Sequence, residues 1–319
     1  MPELPEVETV RRGLSRVSLN QPVRGGEVRL GRTIAYPDLA DVFLAGVTNA
    51  QIVGWHRRGK YLLAELRRLD PTLSESTLGA TAEHLAKGGQ ADNESSMMGG
   101  SSVGLSAGQP AGWLGVHLRM TGQLLWVDQS ESVQTHCRVR LFFDDGRELR
   151  YVDQRTFGRL WWIPPDQPVE SVMTGLQKLG PEPFSAAFSV DYLTAALKGR
   201  QRPIKNALLD QRLVAGIGNI YADEALFMSG IRPKVACSRL GKKRVARLHA
   251  AIVKVLTTSI ESGGTTFSDF RDIHGTNGNY GGVAWVYGRE GEPCRICGCE
   301  IVRLSLAGRS AHYCPKCQR

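Results

Sequence analysis

The sequence predicts an α+β protein: an N-terminal helix plus antiparallel β-sandwich or barrel, a helical helix-two-turn-helix domain, and a C-terminal β-ribbon zinc finger. Three observations predict it. Apolar residues recur at helical spacing near the start, short strand-like runs fill 51–163, and helical periodicity returns at Ser189 ahead of a tail with paired cysteines. The expected divisions are 1–165, a linker at 166–188, 189–289 with a mobile loop at 263–282, and a zinc finger at 290–319.

The first helix is expected from about Glu3 to Ser18, with Val7, Val10 and Leu14 on one side and Arg11 and Arg12 on the other. Six strand-like runs come next: Gln51 to Trp55, Tyr61 to Leu66, Trp113 to Leu118, Gln123 to Val127, Arg138 to Phe143 and Arg159 to Ile163. An Asp144-Asp145-Gly146 turn closes the fifth run. Residues 70–112 interrupt the pattern with eight Gly, seven Ser and no aromatic residue, too little apolar area to offset ordering. They are expected to form a disordered insertion, with a transient helix near 76–87. Helices are expected at Val190 to Lys198, Ile204 to Asp210, Asn219 to Met228 and Lys242 to Ser262.

Forty Lys and Arg oppose 31 Asp and Glu, a net charge of +9 that favours a polyanionic partner such as nucleic acid. No apolar run is long enough to span a bilayer and no signal series opens the chain, so a cytoplasmic location is expected.

The opening Met1-Pro2-Glu3-Leu4-Pro5-Glu6 has two readings. Prolines and acidic residues suit a first helical turn and the positive end of its dipole. If Met1 is removed, however, Pro2 presents a secondary α-amine, which titrates near ~8 and is partly unprotonated at neutral pH. Attack on an aldehyde-like sugar carbon would give an iminium, an electron sink for elimination.

Cys294-Arg295-Ile296-Cys297 is followed after sixteen residues by Cys314-Pro315-Lys316-Cys317. Two thiolate pairs at this spacing close a tetrahedral Zn²⁺ site, structural because no position is left for water. Cys299, Cys137 and Cys237 have no matching partners. Between the pairs, Leu306-Ala307-Gly308-Arg309 reads as a hairpin tip, either solvated or reaching into a DNA groove. Upstream, Gly216 and Gly218 precede a helix, and their exposed N–H groups are expected to form an anion nest for a phosphate, assisted by Asn219 and Lys205.

Taken in order, the opening Pro-Glu-Leu-Pro-Glu-Val-Glu, Gly59-Lys60-Tyr61-Leu62, His117-Leu118-Arg119-Met120-Thr121-Gly122, Asp153-Gln154-Arg155-Thr156-Phe157-Gly158, the two-turn segment and the cysteine ribbon resemble bacterial formamidopyrimidine-DNA glycosylase (the MutM family). The resemblance covers nearly all of the chain outside 70–112. It implies a bifunctional DNA glycosylase and abasic-site lyase of base excision repair, acting on oxidised purines in damaged double-stranded DNA as a monomer, nucleoid-associated when on DNA. It implies Pro2 as Schiff-base nucleophile, Glu3 as assisting acid, and Lys60 and Arg309 as further catalytic residues, with Glu6 and Glu224 in support. His136, Arg155, Lys205, Asn219 and Arg309 would bind DNA, while Met120, Arg155 and Phe157 would fill the gap left by an everted base, replacing lost stacking and pairing. One structural zinc ion on Cys294, Cys297, Cys314 and Cys317 is implied as well.

Three departures stand out. The Thr265 to Tyr280 loop lacks the Gly-Lys-Pro-Gly-Tyr expected in many members, Thr156 stands where a second arginine is common, and 70–112 is inserted. Leu4 separates the chain from the endonuclease VIII branch, where glycine is expected. A non-catalytic binder of damaged DNA would have no need of Pro2, Glu3 and Lys60 together.

Overall fold

In the computed structural model, the residues described are 1–68, 108–265, 271–276, 278 and 280–319. Helix α1 spans Leu4–Val17 with Pro5 in its first turn. Val7, Val10 and Leu14 are almost fully buried, each contributing about 2 kcal/mol by leaving water. On the opposite face Glu8 takes hydrogen bonds from Arg11, Arg12 and Arg57. Burial pushes the Glu8 carboxyl up, but these guanidinium contacts outweigh it and hold the group at about 2.

The strands are β1 Val23–Val28, β2 Ile34–Tyr36, β3 Ala50–Arg58, β4 Tyr61–Arg68, β5 Gln109–His117, β6 Gly122–Asp128, β7 Cys137–Phe143, β8 Arg147–Asp153 and β9 Arg159–Ile163, with helix α2 at Ala40–Val47. They form a four-stranded sheet, order β1-β7-β8-β6, and a five-stranded sheet, order β2-β9-β5-β4-β3. One shared core includes Leu62, Val116, Val139 and Tyr151, and α1 packs into it through Val7, Val10 and Leu14.

The fold departs from the sequence expectations in four respects. The sandwich is not wholly antiparallel, because β2 and β9 pair in parallel. Strands β1 and β2 and helix α2 lie outside the expected elements: β1 carries Gly25-Gly26 at its centre and β2 is three residues long, so neither shows an alternating pattern. Gly26 is needed there, since a Cβ would lie 2.5 Å from the Arg140 carbonyl. The expected insertion also ends too late, for residues 109–112 belong to β5. Pro110 and Gly112 disguise that strand end; Gly112 has φ +90 at a register shift, and β9 pairs only from Trp113 onward. The expected disorder and transient helix of this segment lie otherwise outside the described residues.

The linker is not bare chain. It holds a short helix, Val169–Val172, and a 3-10 turn, Leu176–Lys178, with Met173 and Leu176 packed on Ile163. Helices follow at Val190–Leu197, Ile204–Leu208, Asn219–Met228 and Lys242–Glu261, sharing a second core. Strands β10 Val302–Leu306 and β11 Arg309–Tyr313 form a ribbon whose two-residue turn, Ala307-Gly308, has positive φ at both positions. No helix among the described residues is long and apolar enough to cross a membrane.

Candidate active site and metal centre

A cavity of about 570 Å³ opens where the sandwich, the helical region and the ribbon meet. Met1, Glu3, Lys60, Met120, Asn219 and Arg309 all line it, together with His117, Arg119, Tyr61 and Tyr287. Of the candidate catalytic residues, Glu3, Lys60 and Arg309 thus converge from distant parts of the chain, while Pro2 does not itself line the cavity.

The floor is set by α1 docking on the glycine turn. Leu4 donates its backbone N–H to the Gly216 carbonyl at 3.0 Å. The Glu3 carboxylate accepts from the backbone N–H groups of Gly218 at 2.7 Å, Ile220 at 2.9 Å and Tyr221 at 3.4 Å. It therefore sits at the positive end of the Asn219–Met228 helix. This corrects the expected phosphate nest: the Gly218 N–H is taken by a carboxylate of the same chain and the Gly216 N–H by the Gln211 amide oxygen at 2.9 Å. Gly216, at φ +89, and Gly218 are required because a Cβ at either would lie 2.3 to 2.7 Å from Leu4 or Glu3 atoms.

Glu6 is fully buried behind Glu3. It accepts from the Glu3 N–H at 2.8 Å, the Thr265 N–H at 2.8 Å and the Tyr221 hydroxyl at 2.5 Å. Burial, then the neighbouring Glu3 charge, raise its pKa against these hydrogen bonds. Pro2 is buried while Met1 is 45% exposed beside the cavity.

Lys60 sits in the two-residue turn between β3 and β4, where Arg58 pairs with Tyr61 and Gly59 has φ +57. Glu182 of the linker fixes this turn, accepting from the Gly59 N–H at 2.6 Å and pairing with Arg57 and Arg58 at 2.8 and 3.0 Å. Burial lowers the Lys60 pKa, opposed by the charges of Glu3 and Glu6. His117 lies edge-on to Tyr61 and accepts from the Arg119 N–H through Nδ1 at 3.1 Å. Burial, then the Arg119 and Lys60 charges, depress His117 to about 3, so it is neutral.

The loops after β5 and β8 are tied by Asp153, which accepts from the Thr121 hydroxyl at 2.5 Å and the Gly158 N–H at 2.8 Å; Thr121 in turn accepts from the Arg155 N–H at 3.0 Å. This brings Arg155, half-buried Met120 and Phe157 to one rim, with the Arg155 guanidinium 5.1 Å from the Phe157 ring. Phe157 is half exposed. Thr156 between them has φ +57, and its hydroxyl accepts from Arg32 at 2.8 Å. His136 is half-buried, its carbonyl accepting from the Asp153 N–H.

Pro2, Glu6, His136, Arg155 and Phe157 do not line the cavity, and two further expected site residues are engaged elsewhere. Lys205, expected at a phosphate, is wholly buried, pairing with Asp223 at 2.6 Å and donating to the Ser310 carbonyl. Glu224 does not line the cavity; its carboxylate accepts from the N–H groups of Trp285, Val286 and Tyr287 at 2.8 to 2.9 Å and so fixes that segment. Conversely His117 and Arg119 line the cavity although the sequence assigns them no role beyond their motif, and Tyr221, Glu182 and Asp223 carry no local signal at all. The loop expected at 263–282 is described only in part; among its described residues Thr265 meets Glu6 and Tyr280 donates to the Gly264 carbonyl.

Cys294, Cys297, Cys314 and Cys317 bring four sulfurs within 4.8 Å of one another. Tetrahedral zinc with ~2.3 Å bonds needs sulfurs roughly 3.8 Å apart; the Cys294–Cys317 and Cys297–Cys314 separations are 3.9 and 3.4 Å. Four thiolates suit one structural Zn²⁺.

Comparison with known proteins agrees with this arrangement. The N-terminal domain of formamidopyrimidine-DNA glycosylase matches residues 1–160, the H2TH domain of the same enzyme matches 179–271, and the zinc finger found in FPG and IleRS matches 291–319. The formamidopyrimidine-DNA glycosylase of Acaryochloris marina is 57% identical over 318 residues, covering 100% of this chain and 99% of the relative. That of Nostoc punctiforme is 55% identical, covering 100% and 96%. Among solved structures, MutM (Fpg) from Thermus thermophilus has a TM-score of 0.76 at 35% identity, covering 99% of this chain and 98% of its own. Lactococcus lactis Fpg in complex with DNA containing an abasic site has a TM-score of 0.80 at 30% identity, covering 99% of each chain. The chain belongs to the formamidopyrimidine-DNA glycosylase family, DNA glycosylases of base excision repair that carry a zinc finger.

Proposed function

We propose that this protein excises oxidised purines, 8-oxoguanine and formamidopyrimidines, from double-stranded DNA and then cuts the abasic strand. The observation that carries the proposal is the convergence of Met1, Glu3, Lys60 and Arg309 on one cavity. Once Met1 is removed, the Pro2 nitrogen attacks the sugar C1′ and the base leaves with the bonding pair. Glu3, on the neighbouring residue, assists opening of the sugar ring by proton transfer to its oxygen. The resulting iminium withdraws electrons and acidifies C2′, whose proton passes to water as the 3′ phosphate departs in β-elimination; loss of the C4′ proton to water then expels the 5′ phosphate in δ-elimination.

Lys60 is suited to a phosphate beside the lesion: its ammonium is desolvated yet lies near two carboxylates that favour its charge. Neutral His117 offers a second group there, and Asn219 and Arg309 line the same wall. Met120, Arg155 and Phe157 are placed to replace an everted base, because an exposed ring beside a guanidinium can stack where the base was. Glu6 and Glu224 hold backbone around the cavity, and His136 supports the loop that ends in Asp153. Zinc contributes no step; four thiolates fill its shell and staple the ribbon. In this reading 1–165 supplies the nucleophile, 189–289 the seat for Glu3, and 290–319 Arg309. A single chain supplies every one of these groups, which supports a monomer on DNA, and the abasic-site complex of the Lactococcus lactis relative supports the substrate class.

Borohydride trapping on an oligonucleotide with 8-oxoguanine opposite cytosine tests the proposal. A covalent adduct is expected, lost in Pro2→Gly and Glu3→Gln; normal DNA binding without any adduct in the parent protein would overturn it.

A further inference from the structure

We infer that Asp223 is a positioning residue for excision, holding the ribbon hairpin in the register that brings Arg309 to the cavity. Asp223 stands one turn after Asn219 on the Asn219–Met228 helix, so both face the same neighbour. That neighbour is β11. The Asp223 carboxylate accepts from the His312 backbone N–H at 2.9 Å and faces the His312 ring Nδ1 at 3.2 Å. Its other oxygen pairs with Lys205 Nζ at 2.6 Å, and the same ammonium donates to the Ser310 carbonyl. Asn219 completes the set, donating from Nδ2 to the Ser310 hydroxyl at 3.1 Å.

Asp223, Lys205 and His312 are all buried, with Asp223 and Lys205 fully so. Tyr287 packs edge-on against the His312 ring, 4.9 Å between centroids. Buried charges are retained at a cost unless paired, and here the pair's geometry specifies strand register: alternate residues 310 and 312 are gripped while 309, at the turn, is exposed. The far end of the ribbon is held separately, by Arg232 donating to the carbonyls of Gln318 and Pro315. The cysteine cluster alone therefore does not fix the tip. A slip of one residue in β11 would exchange its faces and carry Arg309 away from the cavity that it shares with Glu3 and Lys60.

This inference rests on the proposed function and is tested so that the two fail separately. Asp223→Asn, Arg309→Ala and the double variant are compared with the parent as zinc-loaded full chains, on duplex carrying an abasic-site analogue and, for single-turnover excision, 8-oxoguanine. Asp223→Asn is expected to keep one zinc per chain, weaken binding about tenfold and lower the slope of log affinity against log salt by ~0.9, the share of one phosphate contact, as Arg309→Ala does. In the Arg309→Ala background it should then do almost nothing. A loss in the double variant equal to the product of the single losses, or an unchanged salt slope in Asp223→Asn, would overturn the inference. If Asp223→Asn does not fold, the pair Lys205→Met with Asp223→Leu removes both charges together and is held to the same outcomes. A parent protein that traps no adduct would instead refute the proposed function, while the coupling of Asp223 to Arg309 in binding would still be read.

Discussion

The backbone N–H of Gly218 donates to the carboxylate of Glu3 at 2.7 Å, across 215 residues of sequence. This contact joins the first residue before α1 to the first turn of the Asn219–Met228 helix, so the two starts are one structure. A carboxylate at a helix N-terminus is favoured by the unsatisfied N–H groups and by the dipole. The same contact aims Glu3 at the cavity and keeps Pro2 next to it.

Gly218 has φ −131, a conformation open to any residue, so its importance is purely spatial. A Cβ there would lie 2.3 Å from Glu3 Cδ and 2.4 Å from Oε1. Gly218→Ala is expected to cost about 1–3 kcal/mol through overpacking and to slow single-turnover excision at least tenfold by displacing Glu3. Gly241, also a helix N-cap, has nothing within 4 Å of its virtual Cβ, so Gly241→Ala should cost under about 1 kcal/mol and leave excision intact. Urea unfolding and rapid-quench assays read both; equal effects in the two variants would contradict the spatial account.

Met1 stands 45% exposed at the cavity while Pro2 behind it is buried. With Met1 present the proline nitrogen is an amide whose lone pair is delocalised into the carbonyl; with Met1 gone it is a free secondary amine next to Glu3. The fraction of protein trapped by borohydride should therefore equal the fraction lacking Met1 by intact mass. Full trapping in a homogeneous Met1-bearing sample would refute Pro2 as nucleophile.

Local pattern carried much of this molecule and long-range partnership carried the rest. Helix α1 was legible because Val7, Val10 and Leu14 repeat at helical spacing and Pro5 fits a first turn. Strand β9 and the Asn219–Met228 helix were legible with their observed limits, as was the cysteine ribbon. Strands β1 and β2 were not, since glycines and shortness erase alternation, and no local pattern announces that β2 pairs in parallel with β9. In the site, motifs singled out Lys60 and Glu3, both of which line the cavity, but the partner of each group was invisible. Gly216 and Gly218 pointed to a phosphate nest; that the Gly218 N–H instead meets Glu3, and the Gly216 N–H the Gln211 amide oxygen, depends on how α1 and the turn pack. Lys205 looked like a phosphate ligand because nothing near it in sequence reveals Asp223.

His117 gives the site a pH signature. Burial first, then Arg119 and Lys60, depress its pKa to about 3 from an ordinary value near 6.5. Between those values the unfolded chain binds a proton that the folded chain refuses, so stability rises with pH across the window and is lost on acidification below about 6.5. From pH 7 to pH 4.5 this one group should remove about 2–3 kcal/mol. His117→Gln, which cannot titrate, should flatten the pH dependence of urea unfolding by that amount while weakening DNA binding at neutral pH. An unchanged slope between pH 4.5 and 7 would show that His117 is not neutral in the fold.

Zinc removal should separate the two ends of the molecule. The ribbon's own apolar cluster consists of Phe227, Val286, Cys294, Ile301 and Cys314 with a few half-buried neighbours, two of its five buried members being candidate ligands. Such a cluster is too small to hold the hairpin unaided, so metal binding supplies most of its folding free energy. The sandwich core shares no buried residue with that cluster and has α1 as its own closure. Chelation should therefore weaken DNA binding at least tenfold, through loss of Arg309 and the rest of the hairpin from the cavity, at chelator concentrations that leave the β-sheet circular dichroism of the sandwich intact. Trapping should fall with binding, because Pro2 has no substrate to attack, and should return on adding Zn²⁺. Simultaneous loss of the sandwich signal would mean that the ribbon supports the N-terminal fold; unchanged DNA binding without metal would mean that Arg309 is held by Asp223 and Arg232 alone.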